Sequence, residues 1–348
     1  MNILVVRFRQ MGDAILTTAT LNTLRRTFPD ARIDFVLNDR LKALFEGHPS
    51  VTNIITFTEQ ERHSATTYIK KVWRTVHQTR YDIIIDMRST ANTMLFALFS
   101  RRSPWRIGLK KPYTWAAFNH RVTPCGDDES MVSHNLKMLA PLSATYTLQY
   151  VNEFTLHPTA DELSRFRTYM QQQGIDFNRP VILAGVATRV AGKAWSEQGM
   201  VWVLRRLIDR YPQVQLIINY APGAEQQSAQ HIYEQLGRPR QIFFDIKADS
   251  QRELMAMASN ISMYFGNEGG ARHIVHAMGR PSLVVCAPTS RSATWIPQNA
   301  VPAEAIDPHD MTDNDTWGTL TYEQRFALVQ KETVWQRLDE FINKHHIT

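Results

Sequence analysis

Apolar runs of about five residues recur along the chain, separated by stretches in which apolar positions return every three or four residues. The runs predict short strands buried on both faces, and the spaced stretches predict amphipathic helices. The first cycle reads strand Asn2 to Arg7, helix Ala14 to Phe28 stopped by Pro29-Asp30, strand Ile33 to Leu37, helix Arg40 to Glu46, strand Asn53 to Phe57, helix Tyr68 to Gln78 and strand Ile83 to Asp86. A second cycle starts near Pro180, with strand Val181 to Val186, helix Ser196 to Tyr211, strand Val214 to Asn219, helix Glu225 to Leu236, strand Gln241 to Phe244 and helix Ser250 to Ala258. Between the cycles lie a strand-like stretch, Tyr146 to Leu156, and a helix capped near Thr159; helical pattern returns over Thr321 to Asn343. Such alternation predicts an α/β protein with two open parallel sheets covered by helices, and a ligand cleft between the units at the carboxyl ends of their strands.

The length supports two units, since single cores rarely grow past roughly 250–300 residues, and this chain has 348. Residues 1–157 and 158–326 are the expected domains, with a closing helix within 327–348 expected to pack back on the first. The second cycle ends in the most informative tract, Ser262 to Ser290. Here an apolar run (Met263 to Phe265) enters Gly266-Asn267-Glu268-Gly269-Gly270, followed by a helix with Ile274, Val275 and Met278 on one face and a second apolar run, Ser282 to Cys286. Glycines at a strand-to-helix turn let a ligand approach bare N–H groups at the positive end of the helix, so a nucleotide or nucleotide sugar is the expected ligand. His273, one turn into that helix, faces either ligand or core.

Charge adds an anionic partner. The net charge is +6, and between Asp86 and Asp127 no acid interrupts Arg88, Arg101, Arg102, Arg106, Lys110, Lys111 and Arg121, which alternate with Trp105, Tyr113 and Trp115. In the preceding helix Ile69, Val72, Trp73 and Val76 are expected to form the apolar stripe, with Lys70, Lys71, Arg74 and Arg80 off it. Two distant cysteines, Cys125 and Cys286, indicate neither a disulfide framework nor a zinc site and fit a reducing cytosol. The amino-terminal apolar run of about five residues falls short of a signal peptide and of the ~20 residues a membrane span requires.

Chemistry concentrates at strand ends. Gln10-Met11-Gly12-Asp13 opens the first helix, and Asp13 there reads equally as a first-turn acid or as a general base. Ala187 to Trp195 carries Gly192-Lys193, but Ala187 and Ala194 occupy positions where a P-loop needs Gly and Ser or Thr. Thr188, Arg189 and Lys193 remain as groups suited to a diphosphate, or as a solvated loop. Asp313-Asn314-Asp315 has a D-x-D spacing that reads more readily as an Asx turn than as a metal site. With no G-x-S-x-G, H-E-x-x-H, paired C-x-x-C or full G-x-G-x-x-G, neither hydrolase nor zinc chemistry is indicated, and a dinucleotide oxidoreductase is disfavoured.

In order and spacing, ILVVRFRQMGDAILTTATLNTLRRTFPDARIDFV, YDIIIDMRS, ATRVAGKAW and FGNEGGARHIVHAMGRPSLVVCAPT together resemble the ADP-heptose:lipopolysaccharide heptosyltransferases of glycosyltransferase family 9, over nearly the whole chain. The resemblance implies a GT-B fold, with two Rossmann-like domains facing a central cleft, the acceptor on the first and the sugar nucleotide on the second. It implies Asp13 as catalytic base, Lys193 on the donor diphosphate, and Glu268, Gly269, Gly270 and His273 around the sugar and phosphates. Glu225 is matched to a ribose hydroxyl and Asp249 to the adenine pocket. Where the family usually carries Asp-[Ser/Thr]-[Gly/Ala], this chain has Glu268-Gly269-Gly270, a longer acid and one hydroxyl fewer. The implied reaction is an inverting, metal-independent transfer from ADP-L-glycero-D-manno-heptose to the lipopolysaccharide inner core, needing no cofactor, at the cytoplasmic face of the inner membrane of a Gram-negative bacterium. Gly12 and the basic stretch Arg88 to Arg121 are the expected acceptor dock. The alternatives are another nucleotide sugar or glycan acceptor, or a basic nucleic-acid-binding protein, for which no recognised module is present.

Overall fold

The computed structural model describes residues 1–347 apart from Asp127 and Ala191; these two, the second of them inside the Ala187 to Trp195 tract, and Thr348 lie outside the described residues. The chain divides into two units, residues 1–157 and 158–348.

In the first unit β1 (Asn2–Val6), β2 (Arg32–Asn38), β3 (Asn53–Phe57), β4 (Ile83–Asp86), β5 (Trp105–Leu109) and β6 (His120–Val122) form one parallel sheet, ordered β3-β2-β1-β4-β5-β6. β1 and β4 lie at its centre with helices on both faces, which is why they read as unbroken apolar runs. β5 and β6, sequences WRIGL and HRV, carry too little apolar pattern to be read in advance because they sit toward the sheet edge. Three expectations change. The helix expected over Ala14 to Phe28 is two, Met11–Leu16 and Thr18–Thr27, broken where the Thr17 hydroxyl donates to the Asp13 carbonyl at 2.8 Å. Tyr146 to Leu156 joins no sheet; Thr27, Thr23 and Thr18 of the second helix accept from the backbone N–H groups of Gln149, Val151 and Thr155 at 2.9 to 3.0 Å, so hydroxyls replace a strand partner. In the helix Ala65–Gln78 the buried stripe is Tyr68, Val72, Thr75 and Val76, and both Ile69 and Trp73 face outward.

One buried histidine ties this unit together. The His48 ring accepts from the Ser50 N–H at Nδ1 (3.2 Å) and donates from Nε2 to the Thr155 carbonyl (3.1 Å), the neutral tautomer both contacts require. Burial, with the neighbouring His157, pushes its pKa from 6.5 down to about 4. The unfolded chain therefore binds a proton that the folded chain refuses between these two values, and stability falls as pH drops through that window, by up to roughly 3 kcal/mol. Thermal midpoints between pH 7 and 4 are expected to decline less steeply in His48→Asn than in the wild type; parallel slopes would exclude His48 as the source.

The second unit repeats the plan. β7 (Val181–Gly185), β8 (Gln215–Ile218), β9 (Ile242–Phe243), β10 (Met263–Asn267), β11 (Ser282–Val285) and β12 (Ala303–Ile306) run parallel in the order β12-β11-β10-β7-β8-β9. Counted from its own first strand this is again 3-2-1-4-5-6, the doubly wound order. Gly266, at φ 145°, is forced by the close approach of β7, since a Cβ there would collide with the Gly185 backbone. The closing segment forms helices Tyr322–Ala327 and Lys331–Lys344. Val334, Leu338, Phe341 and Ile342 join the core of this second unit beside Leu204 and Leu207, and the Trp195 indole donates to the Val329 carbonyl at 3.0 Å. The last helix, expected on the first domain, lays this apolar face against the helix Glu197–Arg210 of the second unit.

Candidate active site

In an open parallel sheet, the loops at the carboxyl ends of the strands where the order reverses diverge and leave a crevice. In the first unit that point lies between β1 and β4. The loop after β1 carries Arg7 and Arg9 and leads into the helix that opens with Gly12 and Asp13, and the loop after β4 carries Arg88 and Ser89. Asp13, only 5% exposed, stands in the first turn of its helix, and its Oδ1 accepts from the Arg7 guanidinium at 2.9 Å, with Arg9 Nε at 3.4 Å. Among the described residues no hydrogen bond reaches Oδ2. Arg7 is itself buried and also donates to the Met87 carbonyl at 2.8 Å. Its pKa is pushed down to about 10, burial outweighing the attraction of Asp13. The acid is thus held by a buried cation with one oxygen uncommitted, an arrangement that fixes its orientation and can receive a proton.

The basic stretch is not one surface. Arg101, Arg102 and Arg106 precede or open β5 and so lie at the amino end of the sheet, whereas Lys110, Lys111 and Arg88 lie at the carboxyl end, with Arg121 within the edge strand β6. Arg106 donates to the carbonyls of Arg101, Ser103 and Ala117, and Lys111 Nζ to those of Arg88 and Ser89 at 2.9 and 3.0 Å. These two side chains stabilise loops. Of the residues expected at the acceptor dock, Gly12, Arg88 and Lys110 lie at the carboxyl end of the sheet, with Lys111 bonded to the turn at Arg88 and Ser89.

In the second unit the order reverses between β7 and β10. Asn267 ends β10, donates to the carbonyls of Gly185 and Val186 (3.0 Å each) and accepts from the Trp195 N–H at 2.7 Å. It thereby fixes the loop carrying Thr188, Arg189 and Lys193 against the loop carrying Glu268. Glu268 Oε1 lies 3.1 Å from His273 Nε2 and 3.7 Å from Arg272. Burial pushes the Glu268 carboxyl up, but the His273 hydrogen bond and the charges of His273, Arg272 and Lys193 outweigh it and hold the pKa at about 2. Arg272 is fully buried and donates to the Trp295 carbonyl at 2.7 Å; its Nε and Nη1 have no partner among the described residues. A Cβ added at Gly269 would meet no atom within 4 Å, so that glycine leaves backbone open to a ligand and serves no packing contact. The helix Gly270–Ala277 starts there with its first N–H groups available to an anion.

Two other expected site residues are engaged locally. Glu225 accepts from the Ala221 N–H at 3.1 Å, and Asp249 is exposed, its N–H donating to Glu253 at 2.7 Å. Asp313 caps the helix Asn314–Thr319 through the Thr316 N–H at 2.9 Å, the Asx role expected of it. Among the described residues no group of three or more metal-ligating side chains gathers. Sequence reasoning missed Arg7, Asn267 and Arg272. Only Arg272 left a local signal, standing four residues after Glu268, where opposite charges pair.

Two doubly wound units in series, one presenting a clamped acid and the other an open glycine turn flanked by cations, have the plan of the GT-B fold. The profile of glycosyltransferase family 9 (heptosyltransferase) matches residues 69–303, and the chain belongs to that family. It is 18% identical to lipopolysaccharide heptosyltransferase 1 of Campylobacter coli over 84% of this chain and 86% of that one. A solved family 9 glycosyltransferase from Veillonella parvula superposes with a TM-score of 0.81 at 16% identity, covering 99% of this chain and 97% of that one. The E. coli heptosyltransferase WaaC with ADP-2-deoxy-2-fluoro heptose gives a TM-score of 0.70 at 15% identity, over 98% and 100% of the two chains. Among the described residues no helix is long and apolar enough to cross a membrane.

Proposed function

We propose that this chain transfers a heptose from ADP-L-glycero-D-manno-heptose to a hydroxyl of a lipopolysaccharide inner core, with inversion and without a metal. The observation that carries the reading is the cluster at the second switch point, where Lys193, Arg272 and His273 surround Glu268 beside the open Gly269 backbone. In this reading Glu268, with its pKa near 2, is ionised at every working pH and accepts hydroxyls of the sugar. Thr188, Arg189, Lys193 and the amides of Gly269 and Gly270 receive the diphosphate, whose charge grows as the glycosidic bond breaks. Asp13 takes the proton of the acceptor hydroxyl as that oxygen attacks the anomeric carbon; ADP departs from the opposite face. Arg7 positions the base. Gly12, Arg88 and Lys110 meet the anionic acceptor, and Glu225 and Asp249 are assigned to the nucleoside. The relatives' names supply the acceptor class, and that acceptor brings the enzyme to the cytoplasmic face of the inner membrane.

Calorimetric titration of the full chain with ADP, UDP, GDP and CDP is expected to give binding for ADP alone, and ADP-heptose is expected to bind at least as tightly. Equal affinity for UDP or GDP would overturn the donor assignment.

A further inference from the structure

The helix Ala65–Gln78 turns outward a face that the packing of the first unit leaves unused. Ile69 is 44% and Trp73 53% exposed, and the Trp73 indole stacks on the His77 ring with centroids 4.1 Å apart. Residues four apart share a helix face, so Ile69, Trp73 and His77 form an apolar and aromatic ridge. Lys70 and Arg74 run beside it at the same spacing. With Glu61, Thr66, Thr67 and Lys71 they line a cavity of about 520 Å³. Glu61, the acid in that lining, is bound through both oxygens at 2.7 Å to Lys71, which leaves Lys70 and Arg74 as its net positive charge.

Topology gives this face its place in the unit. The helix follows β3 and begins at the carboxyl end of the sheet, the end from which Gly12 and Asp13 project. Lys71 Nζ sits 4.7 Å above the ring of Phe57, the last residue of β3, which fixes the cavity at that end.

We propose that this face is the surface through which the chain rests on an anionic lipid bilayer, with Ile69 and Trp73 entering the boundary between headgroups and acyl chains and the Lys70–Arg74 cavity receiving lipid phosphate. Trp suits such a boundary because its ring is apolar at one end and a donor at the other. Lys and Arg beside it are drawn to the negative surface potential of an anionic leaflet. A soluble polyanion would use the cations and leave Ile69 and Trp73 in water. A second copy docked about a twofold axis would set Lys70 and Arg74 against their own equivalents. The inference rests on the proposed function only in that a lipid-borne acceptor gives the enzyme cause to lie at a membrane. Two apolar side chains and two cations make a weak, reversible, salt-sensitive attachment.

Co-sedimentation of the full chain with phosphatidylcholine vesicles, with and without phosphatidylglycerol, tests this. Binding is expected only to the anionic vesicles, and is expected to fall about tenfold or more in Lys70→Glu/Arg74→Glu. Trp73→Ser is expected to lose the residual binding at high salt while turning over a soluble truncated acceptor at the wild-type rate. Vesicle binding unchanged in both variants overturns the proposal. So does a vesicle-independent dimer that Trp73→Ser dissolves, or a cavity that takes inorganic phosphate with no partitioning to vesicles. The sedimentation uses no sugar nucleotide, so a failure of the transferase reading would appear in the turnover assay and leave this result standing.

Discussion

Replacing Asp13 by Asn is expected to lower kcat by about 10²- to 10⁴-fold, the usual loss when a general base is removed, while the dissociation constant for ADP-heptose stays at its wild-type value. The expectation follows from how the carboxylate is held. Arg7 and Arg9 both engage Oδ1, so the acid is oriented and Oδ2 has no partner among the described residues to compete for an incoming proton. An amide of the same shape keeps the packing and loses the basicity. The substitution also deprives a buried guanidinium of its counter-charge, so the Asp13→Asn protein should melt at a lower temperature, and turnover must be compared well below that midpoint. Single-turnover measurement with saturating donor separates the two effects. An Asp13→Asn variant that turns over like the wild type would remove Asp13 from the chemistry and leave it as the partner of Arg7.

The second large effect is expected at Glu268. Its carboxylate is 13% exposed and faces Arg272, which is entirely buried, together with His273. Glu268→Ala would leave the Arg272 charge uncompensated inside the protein, and breaking a buried pair from one side costs about 3–5 kcal/mol. Urea denaturation should read this as an earlier midpoint. Glu268→Asp keeps the charge, draws it back by one methylene and should recover much of the loss. The same two variants carry the functional test. If Glu268 also holds the sugar, the KM for ADP-heptose rises in both, whereas affinity for ADP, which lacks the sugar, changes little in Glu268→Asp. A stability loss with an unchanged donor KM would assign Glu268 to the scaffold of its loop.

The sequence marked both of these residues as candidates. Asp13 and Glu268 both stand just past an apolar run at a glycine turn, a pattern that announces a strand end facing a ligand. Arg7, which holds Asp13, and Asn267, which fixes the loop carrying Glu268, did not announce themselves. Arg7 looks like the polar end of a strand, and Asn267 like one more residue of a turn, because what matters about each is a contact with a segment remote in the chain or across a bend. Trp73 shows the converse. A window centred on Ile69, Val72, Trp73 and Val76 makes an acceptable helical stripe, and only the sheet decides that Tyr68, Val72, Thr75 and Val76 turn inward.

By itself, then, the sequence determined what depends on neighbours a few residues away. Burial on both faces writes central strands as apolar runs, helices repeat with their own period, and glycine marks the turns where backbone must lie bare. It thereby settled the α/β class and the two cycles, and marked the two glycine-bearing loops to which the proposed chemistry is assigned. The strand β5 and the strand order, which put Arg101, Arg102 and Arg106 at the amino end of the sheet and Arg88 and Lys110 at its carboxyl end, were decided only in the tertiary structure. So were the clamp on Asp13, the charge cluster at Glu268 and the docking of the last helix on the second unit. Each of these depends on distances between residues far apart in the chain, and one-dimensional periodicity carries no term for such distances.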